Sequence, residues 1–265
     1  MHEEEVDMVR QVVVTGAASG IGKALAAILT DRGDRVIGVD LHDVDVVADL
    51  STPEGRAEAV AGVLDRTDGV LAAAVACAGV SLPSTQTVAV NYFGVVDVME
   101  ALRPALARAE QPRGAVIASI SSTQPFVDEI VEACADHDEA RALALSQEQV
   151  EQGRGRILYS TSKVALARWM RRTCIAPGWA DAGIPLNAVG PGVVRTPMIA
   201  ELESSPEGIE LMNKSVPMPL HGWAEPAAAA HALAYLVSPE NTHVTGQLLF
   251  VDGGADATTR GETAY

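Results

Sequence analysis

The chain has 265 residues, 48% of them apolar and only 4% aromatic, with a formal net charge of −16. This length suits one α/β domain, and Ala, Val and Leu must supply most of its core. The acidic balance argues against nucleic acid or an anionic membrane as partner.

No run reaches the roughly 18 apolar residues of a membrane span. Cys77, Cys134 and Cys174 lack close spacing, so neither a disulfide framework nor a metal site is expected. The start, Met1-His2-Glu3-Glu4-Glu5, lacks a signal-peptide core, which makes the reducing cytoplasm the expected compartment. There is no internal repeat or low-complexity linker, and residues 1–265 read as one domain.

Gln11 to Thr15 is a short β-branched run of the buried-strand type. Gly16-Ala17-Ala18-Ser19-Gly20-Ile21-Gly22 follows, then apolar residues at helix spacing, Ile21, Leu25, Ile28 and Leu29. Strand, glycine turn and helix make a dinucleotide site, because glycines let the backbone approach a pyrophosphate and the helix start offers free N–H groups. A second strand, 35–39, ends at Asp40. An acid at that distance suits a ribose diol and repels a 2′-phosphate. Leu41-His42-Asp43 follows without Arg or Lys, which favours NAD over NADP.

Further strands are expected near 70–75, 114–120, 184–190 and 247–251, with helices between them. This alternation predicts a doubly wound parallel sheet of the Rossmann-like kind, with helices on both faces and ligands beyond the carboxyl ends of the strands. Tyr159 and Lys163 stand four apart, on one face of a helix. A phenol has a pKa of about 10. A nearby ammonium lowers it, so the pair can exchange a proton with an alcohol oxygen. Arg168, Arg171 and Arg172 on the same helix read as a solvated face.

These motifs together resemble the short-chain dehydrogenase/reductase family over essentially the whole chain. The resemblance implies hydride transfer between an alcohol carbon and NAD, with Tyr159 as acid–base and Lys163 lowering its pKa. It implies Ser122, in Ile120-Ser121-Ser122, as the hydrogen-bond donor to the carbonyl oxygen, and Asn91 as holder of a water that connects Lys163 to solvent. Thr15 to Gly22 fit the family's cofactor loop, so Gly16, Ser19, Gly20, Ile21 and Gly22 join Asp40 and Leu41 as cofactor residues. Asp49 and Leu50 fit the pair that meets the adenine. Cys77-Ala78-Gly79 occupies the place of the family's Asn-Asn-Ala-Gly, with Ala76 and Cys77 where two Asn are usual. Pro191, Gly192, Val194 and Thr196 fit the segment that clasps the nicotinamide amide. Ser160 and Ser162 read as structural.

A segment of about 126–152 separates the Ser and Tyr motifs and looks helical. It resembles the insertion of the bacterial 3α-hydroxysteroid dehydrogenase/carbonyl reductase subgroup. Residues 196–220 should cover the site, and Met198, Ile199, Leu211, Met212, Val216 and Met218 suit a hydrophobic ketone or alcohol. The helix at 225–237, apolar on both faces, and the strand at 247–251 suggest a homodimer. By the same resemblance, the insertion should block a second contact between subunits. The alternatives are an NAD-binding regulator without turnover, or an epimerase or dehydratase on this scaffold.

Overall fold

The computed structural model describes residues 9–264, so the acidic start at Met1–Glu5 lies outside the described residues. Strands and helices alternate: β1 (Gln11–Thr15), α1 (Gly20–Asp31), β2 (Arg35–Asp40), β3 (Val46–Val47), α2 (Pro53–Thr67), β4 (Ala73–Ala76), α3 (Gln86–Val88), α4 (Val95–Leu106), β5 (Arg113–Ile117), α5 (Asp128–Ala135), α6 (Glu139–Glu151), α7 (Ile157–Thr173), β6 (Leu186–Pro191), α8 (Ala200–Glu203), α9 (Pro206–Ser215), α10 (Pro226–Leu236), β7 (Leu248–Val251) and α11 (Ala255–Arg260). The strands form one seven-stranded sheet in the order β3-β2-β1-β4-β5-β6-β7, every pairing parallel. The chain winds outward from β1 in one direction and from β4 in the other. The crevice between these two strands is where such a sheet binds ligands.

Successive side chains of β1 point to opposite faces. Val13 enters the core layer of α2, α4 and α7 with Leu71, Leu102, Val116 and Leu166. Val12 and Val14 enter the other layer, with Leu25 and Leu29 of α1 and Leu233 of α10. Both layers are built mainly from Ala, Val and Leu, as the low aromatic share requires. No helix among the described residues is long and apolar enough to cross a membrane.

The six expected strands all form. β3 has only two residues at the sheet edge, too short for a periodic pattern to mark it. β5 stops at Ile117 rather than at 120. Ala118 N still donates to Val189 O at 2.8 Å, and then Ser119 caps a 3-10 turn at Ile120–Thr123 by accepting from Ser121 N at 3.1 Å.

The segment 126–152 contains two helices, α5 and α6, as its pattern indicates. They lie across α7 and across a π-helical turn at Ala89–Gly94. Thr161 Oγ1 accepts from Val127 N at 3.1 Å, and the Tyr92 hydroxyl donates to Cys134 O at 2.7 Å. Cys134 is fully buried by this packing. Arg56 of α2, 3% exposed, meets Asp97 of α4 at 2.9 Å and Glu139 of α6 at 3.0 Å, and His137 meets Asp97 at 3.1 Å. Arg168, Arg171 and Arg172 are exposed, Arg168 stacking 4.8 Å from the Phe126 ring centroid.

On α10, Ala229, Ala230, Leu233, Ala234 and Leu236 are buried, while Ala227, Ala228, His231 and Tyr235 face outward. Among the described residues β7 pairs only with β6 and forms the opposite sheet edge.

Arg56→Ala leaves Asp97 and Glu139 facing each other without their shared cation. Both carboxylates keep some water, so we expect a loss of about 2–3 kcal/mol, below the figure for fully buried pairs. Urea denaturation should show it, with a smaller loss for Arg56→Met.

Candidate active site

The cofactor cradle is built where β1 and β4 end. Gly16 has φ of +72°, and a Cβ there would stand 2.7 Å from Ala78 N. Ala78 N donates to Thr15 Oγ1 at 3.1 Å, tying the two strand ends together. A Cβ on Gly20 would reach within 3.0 Å of Thr196 Cγ2, so the glycine loop meets the segment after β6. Ser19 stands at the N-cap of α1 without a side-chain capping bond. The first turn of α1, with Ile21 and Gly22, therefore presents N–H groups that no side chain caps. That chemistry suits a pyrophosphate.

Asp40 ends β2 beside this loop. Its carboxylate accepts from Ala18 N at 2.9 Å and from Leu41 N at 2.7 Å, which fixes its direction. Leu41 is 59% exposed next to it. Asp49 is exposed and accepts from Ser51 N at 2.9 Å, while Leu50 turns into the core. Cys77, Ala78 and Gly79 line the end of β4 and are half-buried. Pro191 ends β6, Gly192 N donates to Val251 O at 3.1 Å, and Val194 pairs with Ala224. The loop, Asp40, Cys77–Gly79 and Pro191, Gly192, Val194 and Thr196 thus share the carboxyl end of one sheet. These residues fit a dinucleotide.

Tyr159 and Lys163 come from one face of α7, as their spacing indicates. Lys163 Nζ lies 5.9 Å from the Tyr159 ring centroid and donates to Ile117 O at 2.8 Å. Burial lowers the Lys163 pKa to about 8, partly opposed by the nearby Cys77 thiol. Burial also pushes the Cys77 thiol up, to about 12. For Tyr159, burial raises the pKa and a hydrogen bond with Ser119 lowers it, with a net rise. This direction is opposite to the one expected from the Tyr–Lys spacing, because desolvation of the phenol outweighs its neighbours.

The geometry moves one assignment. The hydroxyl beside Tyr159 belongs to Ser119, not Ser122. Because β5 ends at Ile117, Ser119 reaches the strand tip, whereas Ser122 lies in the following 3-10 turn and donates to Ser119 O. The sequence carried a signal for this: Ser119-Ile120-Ser121 is a local cap in which the first hydroxyl takes the N–H two residues on. Asn91 joins two elements. Its amide donates to Val80 O at 2.9 Å and to Ser162 Oγ at 3.1 Å, while Oδ1 accepts from Val80 N at 2.8 Å. Both N–H groups are used, and the side chain ties the β4 loop to α7. A Cβ on Gly79 would stand 3.1 Å from Asn91 Oδ1 and 3.7 Å from Lys163 Nζ, so only glycine leaves this corner open.

Ser160 and Ser162 are structural, as expected. Ser160 Oγ donates to Pro125 O at 2.6 Å and Ser162 Oγ to Tyr159 O at 2.7 Å. Ile199, Met212, Val216 and Met218 pack inward with Ile120, Val193 and Trp223, whereas Met198 and Leu211 are 45% and 47% exposed.

A family model described as enoyl-(acyl carrier protein) reductase matches residues 16–256. The 3-alpha-hydroxysteroid dehydrogenase/carbonyl reductase of Comamonas testosteroni is 38% identical, over 94% of this chain and 97% of its own length. The chain belongs to the short-chain dehydrogenase/reductase family. Like its relatives, this short-chain dehydrogenase/reductase is an oxidoreductase of secondary alcohols and ketones that uses a nicotinamide cofactor. The crystal structure of the 3-alpha-hydroxysteroid dehydrogenase from Pseudomonas sp. B-0831 complexed with NADH has a TM-score of 0.88 and 43% identity, and covers 96% of this chain and 99% of its own. A putative NAD(P) dependent gluconate 5-dehydrogenase from Beutenbergia cavernae with bound NADP at low occupancy has a TM-score of 0.74 and 26% identity, covering 94% of this chain and 97% of its own.

The Lys163 shift sets a pH dependence of folding. Between pH of about 8 and 10.5, the unfolded chain holds a proton on Lys163 that the folded enzyme has lost. Stability therefore gains from this group as pH rises through that window. Urea denaturation at several pH values should show the gain in the native protein and its loss in Lys163→Met.

Proposed function

We propose that this enzyme uses NAD(H) to interconvert a hydrophobic secondary alcohol and its ketone, a hydroxysteroid or another carbonyl compound of that kind. The nearness of the Ser119 and Tyr159 hydroxyls carries the reading, because two hydroxyls from different elements meet beside the dinucleotide cradle. The cofactor supplies or accepts the hydride at its nicotinamide ring. Tyr159 removes the hydroxyl proton in oxidation and returns one in reduction. Ser119 donates to the carbonyl oxygen, where negative charge develops as hydride arrives. Lys163 holds the nicotinamide ribose and places positive charge below the phenol. Asn91 keeps Lys163 and Tyr159 in register by clamping Ser162 on the intervening turn of α7.

Substrate character follows from the lining. Ile120, Val193, Met212, Val216 and Met218 offer apolar, adaptable side chains. The names of the hydroxysteroid dehydrogenase relatives support the same class of substrate. Cofactor choice follows from Asp40. A 2′-phosphate would face its carboxylate, and Leu41-His42-Asp43 provides no Arg or Lys to offset it. Cys77, Cys134 and Cys174 are free thiols, in keeping with a reducing cytoplasm.

A panel of ketones and secondary alcohols, read at the NADH absorbance, tests this reading. At least one hydrophobic member should turn over, with kcat/KM about tenfold or more higher for NAD(H) than for NADP(H). Tyr159→Phe should lose about a thousandfold in kcat, and Ser119→Ala about a hundredfold, while both still bind NADH. Ser122→Ala should stay near the native rate. Turnover unaffected by Tyr159→Phe, or a preference for NADP, would overturn the corresponding assignment.

We also propose a homodimer, formed through α10 and the β7 edge. The outward face sets two small residues, Ala227 and Ala228, beside His231 and Tyr235, and β7 offers a sheet edge that a two-fold partner can protect. The insertion covers the α4 and α7 surface and closes it to a second contact. Light scattering at low micromolar concentration should give a dimer mass. A stable tetramer would count against the blocking role.

A further inference from the structure

Residues 196–222 form a cover whose helices have little apolar anchorage. Helix α8 buries no residue and α9 buries only Gly208. Helices of four and ten residues are not stable by themselves. Something other than a packed core must hold them in place.

The two stems of this cover are joined at their base. Arg195 N donates to Ala224 O at 2.9 Å, and Ala224 N donates to Val193 O at 2.9 Å. From this base two side chains reach up. The Arg195 guanidinium meets Glu203 of α8 at 2.9 Å through Nε, and Nη1 donates to Trp223 O at 2.8 Å. Nη1 also lies 3.5 Å from the exposed Glu225 carboxylate. Trp223 Nε1 donates to Asn213 of α9 at 2.7 Å. Arg195 Cζ stands 5.8 Å from the centroid of the Trp223 ring. One stem therefore holds α8, the other holds α9, and the two holding side chains touch each other.

Resting on the alcohol–ketone reading above, we infer that Arg195 and Trp223 are positioning residues for the hydrophobic substrate, a latch that sets α8 and α9 as one body over the site. The inner face of this cover, with Ile199, Met212 and Val216, is flexible in itself. It presents a defined pocket wall only when its frame is fixed. A lone exposed ion pair contributes little. Arg195 differs because its planar fork is held at once by a carboxylate, a carbonyl and a ring. Trp223 is 9% exposed and packs with Ile120 and Val193, so the latch is seated on residues next to Ser119 and β6. The side-chain hydrogen bonds and ion pairs of Arg195 and Trp223 go to the cover and its stems rather than to the glycine loop or Asp40, so cofactor binding should not depend on them.

The test compares the native protein with Arg195→Met, Arg195→Lys, Trp223→Phe and the double variant Arg195→Met/Glu203→Gln. In Arg195→Met, KM for the best alcohol of the panel should rise by about threefold to tenfold, with kcat within about twofold. The dissociation constant for NADH, from its fluorescence, should be unchanged. Arg195→Lys should restore part of KM, and the double variant should be no worse than Arg195→Met. Amide hydrogen exchange over residues 200–215 should speed up in Arg195→Met and Trp223→Phe. Unchanged exchange there would overturn the latch, as would a loss of NADH affinity in proportion to the rise in KM. If the native protein oxidises no alcohol and reduces no ketone, the alcohol–ketone reading fails, and the exchange measurement still decides the latch.

Discussion

The site hangs on one buried side chain. Asn91 is fully buried, and its amide spends both N–H groups and its carbonyl on Val80 and Ser162. Those bonds connect the loop after β4, the π-helical turn at Ala89–Gly94 and the turn of α7 between Tyr159 and Lys163. In a low-dielectric interior an unpaired amide is costly, so a satisfied one specifies a single arrangement. The wide turn around Asn91 lets the helix carry this residue inward without breaking. The positions of Lys163 against Gly79 and of Tyr159 against Ser119 both follow from it.

Burial then sets the electrostatics. Lys163 is 2% exposed and its only hydrogen-bond partner in the described geometry is the Ile117 carbonyl. Its pKa falls for that reason, and the Tyr159 pKa rises for the same one. The shift at Lys163 brings that group closer to neutral pH, whereas the shift at Tyr159 favours the neutral phenol. Ser119 acts against the rise by offering a hydrogen bond to the phenolate. Desolvation sets both directions, and the Ser119 hydroxyl offsets part of the rise at Tyr159.

The segment between Ser119 and Tyr159 shows how an insertion becomes part of the frame. α5 and α6 bury Cys134 and Ile130, and they cap the outer side of the Asn91 turn through Tyr92 and Phe93. Arg56 gathers Asp97 and Glu139 from two different helices around one guanidinium. An acidic segment is thereby fastened to an acidic protein by one of its few buried cations.

Much was legible in the sequence. The β-branched runs, the glycine loop, Asp40 and the Tyr159–Lys163 spacing are local signals, set by backbone sterics and by helix and strand periods. They sufficed for a parallel sheet, a dinucleotide cradle and an acid–base pair. The insertion's helices were legible too, from apolar spacing. The sequence could not say where β5 ends, and that boundary decides between Ser119 and Ser122. Strand ends depend on which backbone groups find partners on β6, a contact between residues about 70 positions apart in the chain. It could not show that Asn91 is spent on Val80 and Ser162, or that burial drives Tyr159 upward. Nor could it join Arg195 to Glu203 and Trp223. Periodicity records which side of an element faces the core, whereas hydrogen-bond partners and pKa shifts depend on distances that exist only once the elements have packed.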